Sequence, residues 1–313
     1  MKNNTKISVC IPVYNGSDTI AHLVEELILK LSMYQLEIVM VNDGSKDNSE
    51  EVCTRIANQY DIVKFISLRK NFGEHNAVMC ALNFATGDYI AIIDDDFQNL
   101  PSEILKLMEE AEKGYDVVYS KYDKKEHHWF RNLGSKFNDL IATWLLKKPK
   151  GLYLSSFKVL NKEVAQEIIK YKGPFPYVDG LILRVTDNIS VKKVIHKERI
   201  SGESNYTLGK LISLWLHMFV NFSISPLRIS TVIGGSSVIF SSALGIYFFI
   251  KKLMFPEMSM GLNILIASII FLGGIQLIFL GIVGEYLGKQ YLDQNGTPQW
   301  IIKKKFGVNE DEL

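Results

Sequence analysis

The sequence is poor in the features that would make it an obvious member of several large classes. It has three cysteines in 313 residues, a formal net charge of only +1, no internal repeat and no low-complexity linker. Cys10, Cys53 and Cys80 have neither metal-finger nor redox spacing, so reduced and mostly buried thiols are expected. The charge balance gives no global attraction to nucleic acid, and any anionic partner has to be recognised locally. Phosphate loops are missing too. Pro12-Val13-Tyr14-Asn15-Gly16 stands in place of a G-x-G-x-x-G turn, and Gly44-Ser45-Lys46 lacks the spacing of a Walker loop. A dinucleotide-dependent dehydrogenase and a P-loop kinase are thereby disfavoured. The first apolar stretch is cut short by Pro12, which leaves neither a signal-peptide core nor a membrane span. The N-terminal part is expected to stay in the cytoplasm.

What is present changes character along the chain. From Ile7 to about Ser120, strand-like and helix-like patterns alternate. Strands are expected at Ile7 to Val13, Glu37 to Val41, Val63 to Leu68 and Ile90 to Ile93. Between them lie a helix from Ile20 to Leu31, capped by Ser17 or Asp18, one around Val52 to Ala57, and one from Ala77 to Ala85 closed by Gly87. This order predicts an α/β fold with a mainly parallel sheet covered on both faces, which binds ligands beyond the carboxyl ends of its strands. The middle segment predicts a helix from His128 to Leu146, a strand at Leu152 to Val159, helices at Asn161–Lys170 and Val178–Thr186, and a strand at Ile189 to Ile195.

Hydrophobic residues make up 47% of the chain, and the excess lies after Leu208. Residues 208–224 carry Lys210, His217 and Asn221 on a largely apolar segment, the pattern of an interfacial helix. Residues 229–250 and 262–284 are uncharged and long enough to span a bilayer. Arg228, Lys210, Lys289 and Lys303 to Lys305 outweigh Lys251-Lys252, which places the first domain and the tail in the cytoplasm. The expected divisions are a catalytic domain at 1–206, an interfacial region at 207–226, a helix pair within 227–285 and a cytoplasmic tail at 286–313. Gly234-Gly235 and Gly273-Gly274 would permit close helix approach and a homo-oligomer.

The chemistry concentrates at strand ends. Asp94, Asp95 and Asp96 follow Ile93 directly, so a rigid element delivers carboxylates where a hard cation can sit. The alternative is a solvated acidic turn before the helix that Pro101 opens. Pro12, Tyr14, Asn15 and Asp43 also fall at strand ends, which gathers them with the aspartates in one cleft; Asp43 would serve equally as a helix cap. With no phosphate loop, a nucleotide's diphosphate has to be met by a divalent cation, Mg2+ or Mn2+, on Asp94 and Asp96.

Five segments in order resemble the membrane-anchored polyprenyl-phosphate glycosyltransferases of glycosyltransferase family 2. They are Ser8 to Asn15, Val41 to Asp47, Asp94 to Gln98, Arg199 to Tyr206 and Gly284 to Lys289. The resemblance implies a GT-A-type nucleotide-diphospho-sugar transferase domain followed by interfacial helices and two transmembrane helices. It implies an inverting transfer from a nucleotide sugar, UDP-linked, to undecaprenyl phosphate at a bacterial inner membrane, with the bilayer itself as a partner. Pro12, Tyr14, Asn15, Asp43, Asp94 and Asp95 would bind the nucleotide. Asp94 and Asp96 would hold the metal, and Gln98 would join them in catalysis. Arg131, Ser135, Lys136, Arg199 and Ser204 would bind the acceptor phosphate. Asn205 stands where relatives commonly have lysine, Lys158 where arginine is frequent, and Asp95 where a small residue is common. Rival readings are a transferase-like binding protein without turnover and a processive polysaccharide synthase; Gln299-Trp300 does not complete the Q-x-x-R-W segment of the latter.

Overall fold

The structure is a computed structural model, and it describes residues 5–122, 148–149, 151–196, 225–255 and 262–308. The expected helices at 128–146 and 208–224 lie outside the described residues. The chain divides into two compact units, one formed by residues 1–204 with 296–313 and the other by 205–295.

The first unit is built on an eight-stranded sheet of order β7-β5-β6-β4-β1-β2-β3-β8. Its strands are β1 (Lys6–Val13), β2 (Gln35–Asn42), β3 (Val63–Leu68), β4 (Tyr89–Ile92), β5 (Val117–Tyr122), β6 (Lys158–Asn161), β7 (Ile189–Val194) and β8 (Ile302–Phe306). The stretch β3-β2-β1-β4 is parallel, as is the β5–β7 pair, whereas β6 and β8 run antiparallel to their neighbours. The helices are α1 (Ile20–Lys30), α2 (Ser49–Gln59), α3 (Glu74–Phe84), α4 (Pro101–Ala111), α5 (Lys162–Ile168) and α6 (Val178–Val185).

Strand periodicity explains why both faces are dry. Ile7, Val9, Ile11 and Val13 of β1 join Ile38 and Met40 of β2 under Leu23 and Leu27 of α1, Ile56 of α2 and Leu107 of α4. Cys10, Val39 and Val41 point the other way, to Ala77 and Ala81 of α3, Val164 of α5 and Ile182 of α6. Two buried faces account for the near-continuous apolar runs in the sequence.

Three local expectations are corrected. Neither Ser17 nor Asp18 caps α1: its N-cap is Thr19, without a side-chain cap bond, and the Gly16 carbonyl accepts the Thr19 and Ile20 amides at 3.1 and 3.0 Å. Gly87 does not close α3, which ends at extended Ala85. Gly87 instead lies against β1, its amide donating to Ser8 Oγ at 2.8 Å, and a Cβ there would come within 2.6 Å of the Ser8 nitrogen. The strand expected at 152–159 begins only at Lys158; the Phe157 amide before it donates to Ser155 Oγ at 3.2 Å rather than to a neighbouring strand.

The second unit holds α7 (Ser225–Met254) and α8 (Leu262–Gln294), about 45 and 50 Å long at the helical rise of 1.5 Å per residue. Their windows Ser230–Lys251 and Phe271–Gln294 have mean hydropathy of 1.7 and 1.6, and neither is covered by protein. These two helices are candidate membrane spans. The helix α8 runs past Gly284 to Gln294, so the motif Gly284 to Lys289 is helical, and the residues after Gly296 belong to the first unit.

Candidate active site

Strands β1 and β2 end side by side, and the turns that leave them are bonded to each other. The Asn15 amide donates to Ser45 Oγ at 3.0 Å, while Asn15 Oδ1 accepts the Lys46 amide at 2.9 Å. The Gly16 amide donates to Ser49 Oγ and the Ser17 amide to Asp47 Oδ2, at 2.9 and 3.1 Å. Asn15 has φ of 56°, a left-handed conformation that asparagine tolerates better than most residues. Pro12 is buried in β1 two residues after Cys10, whose carbonyl accepts the Ile93 amide from the β4 side. Pairing with β4 stops at Cys10 and Ile92, so the amide proton that proline lacks would face a side where the ladder has ended. Tyr14 and Asn15 are exposed at the rim.

Asp43 sits on the residue after β2, 2% exposed, its amide bonded to the Val13 carbonyl at 2.9 Å. Its two carboxylate oxygens accept the amides of Phe72 and Gly73 at 2.7 and 2.8 Å. It therefore braces the entry to α3 and does not cap α2, which follows it and has Asn48 as its N-cap. Burial raises the Asp43 pKa, and the two amides only partly oppose it.

Each of the three aspartates after β4 does something different. Asp94 Oδ2 accepts the Ser156 hydroxyl at 2.6 Å. Asp95 turns back toward β1, accepting the Tyr14 amide at 3.0 Å. Asp96 Oδ1 accepts the Gln98 amide at 3.1 Å, closing an Asx-type turn around Phe97. Phe97 has φ of 60°, and its ring is buried in the core, stacked on His22 at 5.0 Å. That anchored ring lets the backbone reverse while Asp96 and Gln98 remain at the surface of the fold.

Burial, with Asp94 and Asp96 alongside, pushes Asp95 up to about 7 despite the Tyr14 amide. The same crowding of carboxylates is what a divalent cation would relieve. Among the described residues no three His, Cys, Asp or Glu side chains converge as a metal shell. Asp94 and Asp96 offer hard oxygen donors, and a Mg2+ or Mn2+ ion bound through two carboxylates fills its remaining positions with phosphate oxygens and water. The donor set fits such an ion.

No motif or spacing in the chain foretells how the wall beside the aspartates is made. Ser155 Oγ lies 2.7 Å from Ser120 Oγ and 2.9 Å from the Tyr122 hydroxyl, which in turn donates to Asn99 Oδ1 at 2.9 Å. The segment from Asp94 to Asn99 is thus tied at both ends to two adjacent serines. Lys158 is 3% exposed and bonded to Asp179, with its ammonium 5.1 Å from the Tyr119 ring centroid. It is a buried structural cation, and its difference from arginine is met inside the protein. The one signal for Asp179 is an acidic residue in the first turn of the run Val178 to Val185, whose only other charge is Arg184. Arg131, Ser135, Lys136, Arg199 and Ser204 lie outside the described residues.

Comparison with known proteins agrees with this arrangement. Residues 8–169 match the family model described as glycosyl transferase family 2. An undecaprenyl-phosphate 4-deoxy-4-formamido-L-arabinose transferase from Proteus mirabilis is 31% identical over 97% of this chain and 95% of its own length. The protein of the same name from Yersinia enterocolitica is 31% identical over 98% of this chain and 95% of its own. Among solved structures, glucosyl-3-phosphoglycerate synthase from Mycobacterium tuberculosis, in complex with Mn2+, UDP-glucose and phosphoglyceric acid, superimposes with a TM-score of 0.53. That match has 17% identity and covers 69% of this chain and 78% of the other, a likeness of fold. On the family match and the full-length similarity, the chain belongs to glycosyl transferase family 2.

Proposed function

We propose that the protein transfers a sugar from a nucleoside-diphosphate donor, UDP-linked, to undecaprenyl phosphate at the cytoplasmic face of a bacterial inner membrane. The observation that carries this reading is that similarity to the undecaprenyl-phosphate transferases extends over 97% of the chain, through the nucleotide-facing turns and both apolar helices alike. Pro12, Tyr14, Asn15 and Asp43 hold the nucleoside, with Asp95 fixing the Tyr14 turn. Asp94 and Asp96 would hold a divalent cation, which would supply positive charge opposite the leaving diphosphate. Gln98 completes the sugar side, held by its amide to Asp96.

The acceptor needs no protein base. A phosphate monoester loses its second proton at a pKa of about 6, so its oxygen is already a nucleophile at neutral pH. In the inverting step that oxygen bonds to the anomeric carbon while the bond from this carbon to the diphosphate breaks, and the nucleoside diphosphate leaves with the electron pair. Arg131, Ser135, Lys136, Arg199 and Ser204 are proposed to hold the acceptor phosphate against an anionic donor by charge-assisted hydrogen bonds.

Two further structural points support a membrane hairpin. The apolar windows of α7 and α8 are uncovered, and residues 1–204 and 296–313, which flank the second unit in sequence, build one unit, as an even number of crossings requires. The test is transfer by purified membranes supplied with undecaprenyl phosphate and a panel of nucleotide sugars, read by mass spectrometry of the lipid. A single sugar joined through one phosphate is expected. A growing polymer would instead favour a processive synthase, and nucleotide binding with no product from any donor would favour a binding protein.

A further inference from the structure

The strand that follows the second apolar helix does more than cover a sheet edge. In β8, Lys303 Nζ lies 2.8 and 3.0 Å from the Glu50 oxygens on α2, and Lys304 Nζ lies 3.3 Å from one of them. Glu50 Oε2 accepts the Ser67 hydroxyl of β3 at 3.0 Å, and Ser67 Oγ accepts Asn42 Nδ2 at 3.1 Å. Asn42 Oδ1 accepts the Ser45 amide at 3.2 Å, and Ser45 Oγ accepts the Asn15 amide at 3.0 Å. An unbroken line of hydrogen bonds thus joins the tail lysines to both turns at the nucleotide end of the sheet.

A second line runs through the backbone. The Arg69 amide donates to the Ile301 carbonyl at 2.9 Å, at the start of the loop whose Phe72 and Gly73 amides hold Asp43. Gln299, buried, fastens the same tail by donating to the Gly173 carbonyl at 2.9 Å.

Magnitudes decide what the ion pair is for. The Lys303 side chain is 45% exposed and that of Glu50 24%, and pairs of this kind add little to stability in water. The interior of the line is different: Ser67 and Asn42 are 0% and 1% exposed, so their hydroxyl and amide are restricted to the partners they have. Glu50 is the hinge between the two regimes. Lysine on one side fixes the carboxylate orientation that Ser67 reads on the other.

From this geometry we infer that Lys303, backed by Lys304, is a positioning residue for the nucleotide: through Glu50, Ser67 and Asn42 the post-helix strand sets the Asn15–Ser45 turn pair. The inference rests on the donor-site reading given above. It makes nucleotide affinity depend on residues that the two apolar helices separate from the rest of the unit by about a hundred positions of chain.

The experiment uses the full-length protein in lipid nanodiscs, with UDP and Mn2+ as the probe, titrated calorimetrically beside thermal unfolding. The double variant Lys303→Ala, Lys304→Ala is expected to bind UDP at least about fivefold more weakly, while its apparent KM for undecaprenyl phosphate stays within about twofold. Lys303→Arg with Lys304→Ala should recover most of the affinity, since a guanidinium can still meet Glu50. Ser67→Ala cuts the line inside the unit and leaves the lysine pair in place, so it should lose UDP affinity in the same direction. That variant decides the matter if the lysine double variant fails to fold. Unchanged UDP affinity in the variants, with only the unfolding temperature lowered, would overturn the positioning role. A wild-type protein that binds UDP and no other nucleoside diphosphate tested leaves the reading intact, whereas one that binds none overturns the donor site and this inference together.

Discussion

Asp95 Oδ2 accepts the Tyr14 amide at 3.0 Å and in doing so fills the space where a side chain on Gly16 would stand: a Cβ there would lie 2.3 Å from that oxygen. Asp95, which the family resemblance assigns to the nucleotide, is in this structure the brace of the turn between β1 and α1. Gly16→Ala is expected to drive Asp95 away, costing about 1–3 kcal/mol of stability through overpacking and weakening donor binding as the Tyr14 turn loosens. Adding Asp95→Ala to Gly16→Ala removes the clash, and stability should recover part of the way. Denaturant melts with nucleotide titrations check both; additive losses in the double variant would show that the two residues are not in conflict.

The metal reading makes its own demands. Asp96→Asn should reduce transfer by roughly 100-fold or more at saturating Mn2+ while leaving thermal unfolding near that of the wild type. Ser156→Ala acts through Asp94 and should weaken Mn2+ binding about tenfold, measured by paramagnetic resonance of the free ion in the presence of nucleotide. Ser156→Thr keeps the hydroxyl and should retain most of the affinity. Equal Mn2+ affinity in Ser156→Ala and the wild type would remove Asp94 from the metal site.

Glu37 gives a prediction for acid stability. It is 6% exposed, accepts the Ser8 hydroxyl and, at 2.8 Å each, the Thr86 amide and hydroxyl, and lies 3.1 Å from Lys64 Nζ. Burial alone would raise its pKa, but the Ser8 and Thr86 hydrogen bonds and Lys64 outweigh it and bring it from 4.5 down to about 2. A depressed folded-state value means the stabilisation is complete above the unfolded pKa, near 4.5, and is lost as pH falls toward 2. The span corresponds to roughly 3 kcal/mol as an upper figure. Glu37→Gln should flatten the stability profile across that window and, by removing a carboxylate from beside buried Lys64, destabilise at pH 7 by about 3–5 kcal/mol. Chemical denaturation from pH 2.5 to 7 in both proteins checks the sign.

Membrane topology is open to labelling. A cysteine introduced at Glu257, between α7 and α8, should react with an impermeant thiol reagent outside intact cells, and one at Lys305 should not. The background is low: burial raises the pKa of Cys10 and Cys80 and pushes Cys53 to about 12, and all three thiols are buried. Reversed labelling would invert the orientation, and protection at both positions would mean the helices do not cross.

What was legible in the sequence followed physical periodicity. Strands β1 to β4 and helices α1 to α3 carry apolar residues at spacings that admit one reading, and their ends placed Tyr14, Asn15, Asp43 and the aspartates at one edge of the sheet. Contacts between distant segments left no such trace. Ser156 meeting Asp94, Asp43 gripping Phe72 and Gly73, and Asp95 resting on Gly16 all depend on which loops the fold brings together. The segment at 302–306 is short and mostly charged and falls in what the sequence marks only as a tail; pairing with β3 overrides that composition, with half-buried Ile302 and Phe306 at the two ends of the strand packing into the two core layers.

The position of β8 also orders the protein's biogenesis. Strands β1 to β7 leave the ribosome before α7 and α8, yet the outer edge of β3 has no partner until residues 302–306 have been made. During that interval the domain carries an open row of backbone donors and acceptors, the surface on which nascent chains pair wrongly. Sheet completion is thereby deferred until the two apolar helices have been synthesised, so a chain stalled or cut between them leaves its edge exposed to chaperones and proteases rather than passing as a finished enzyme.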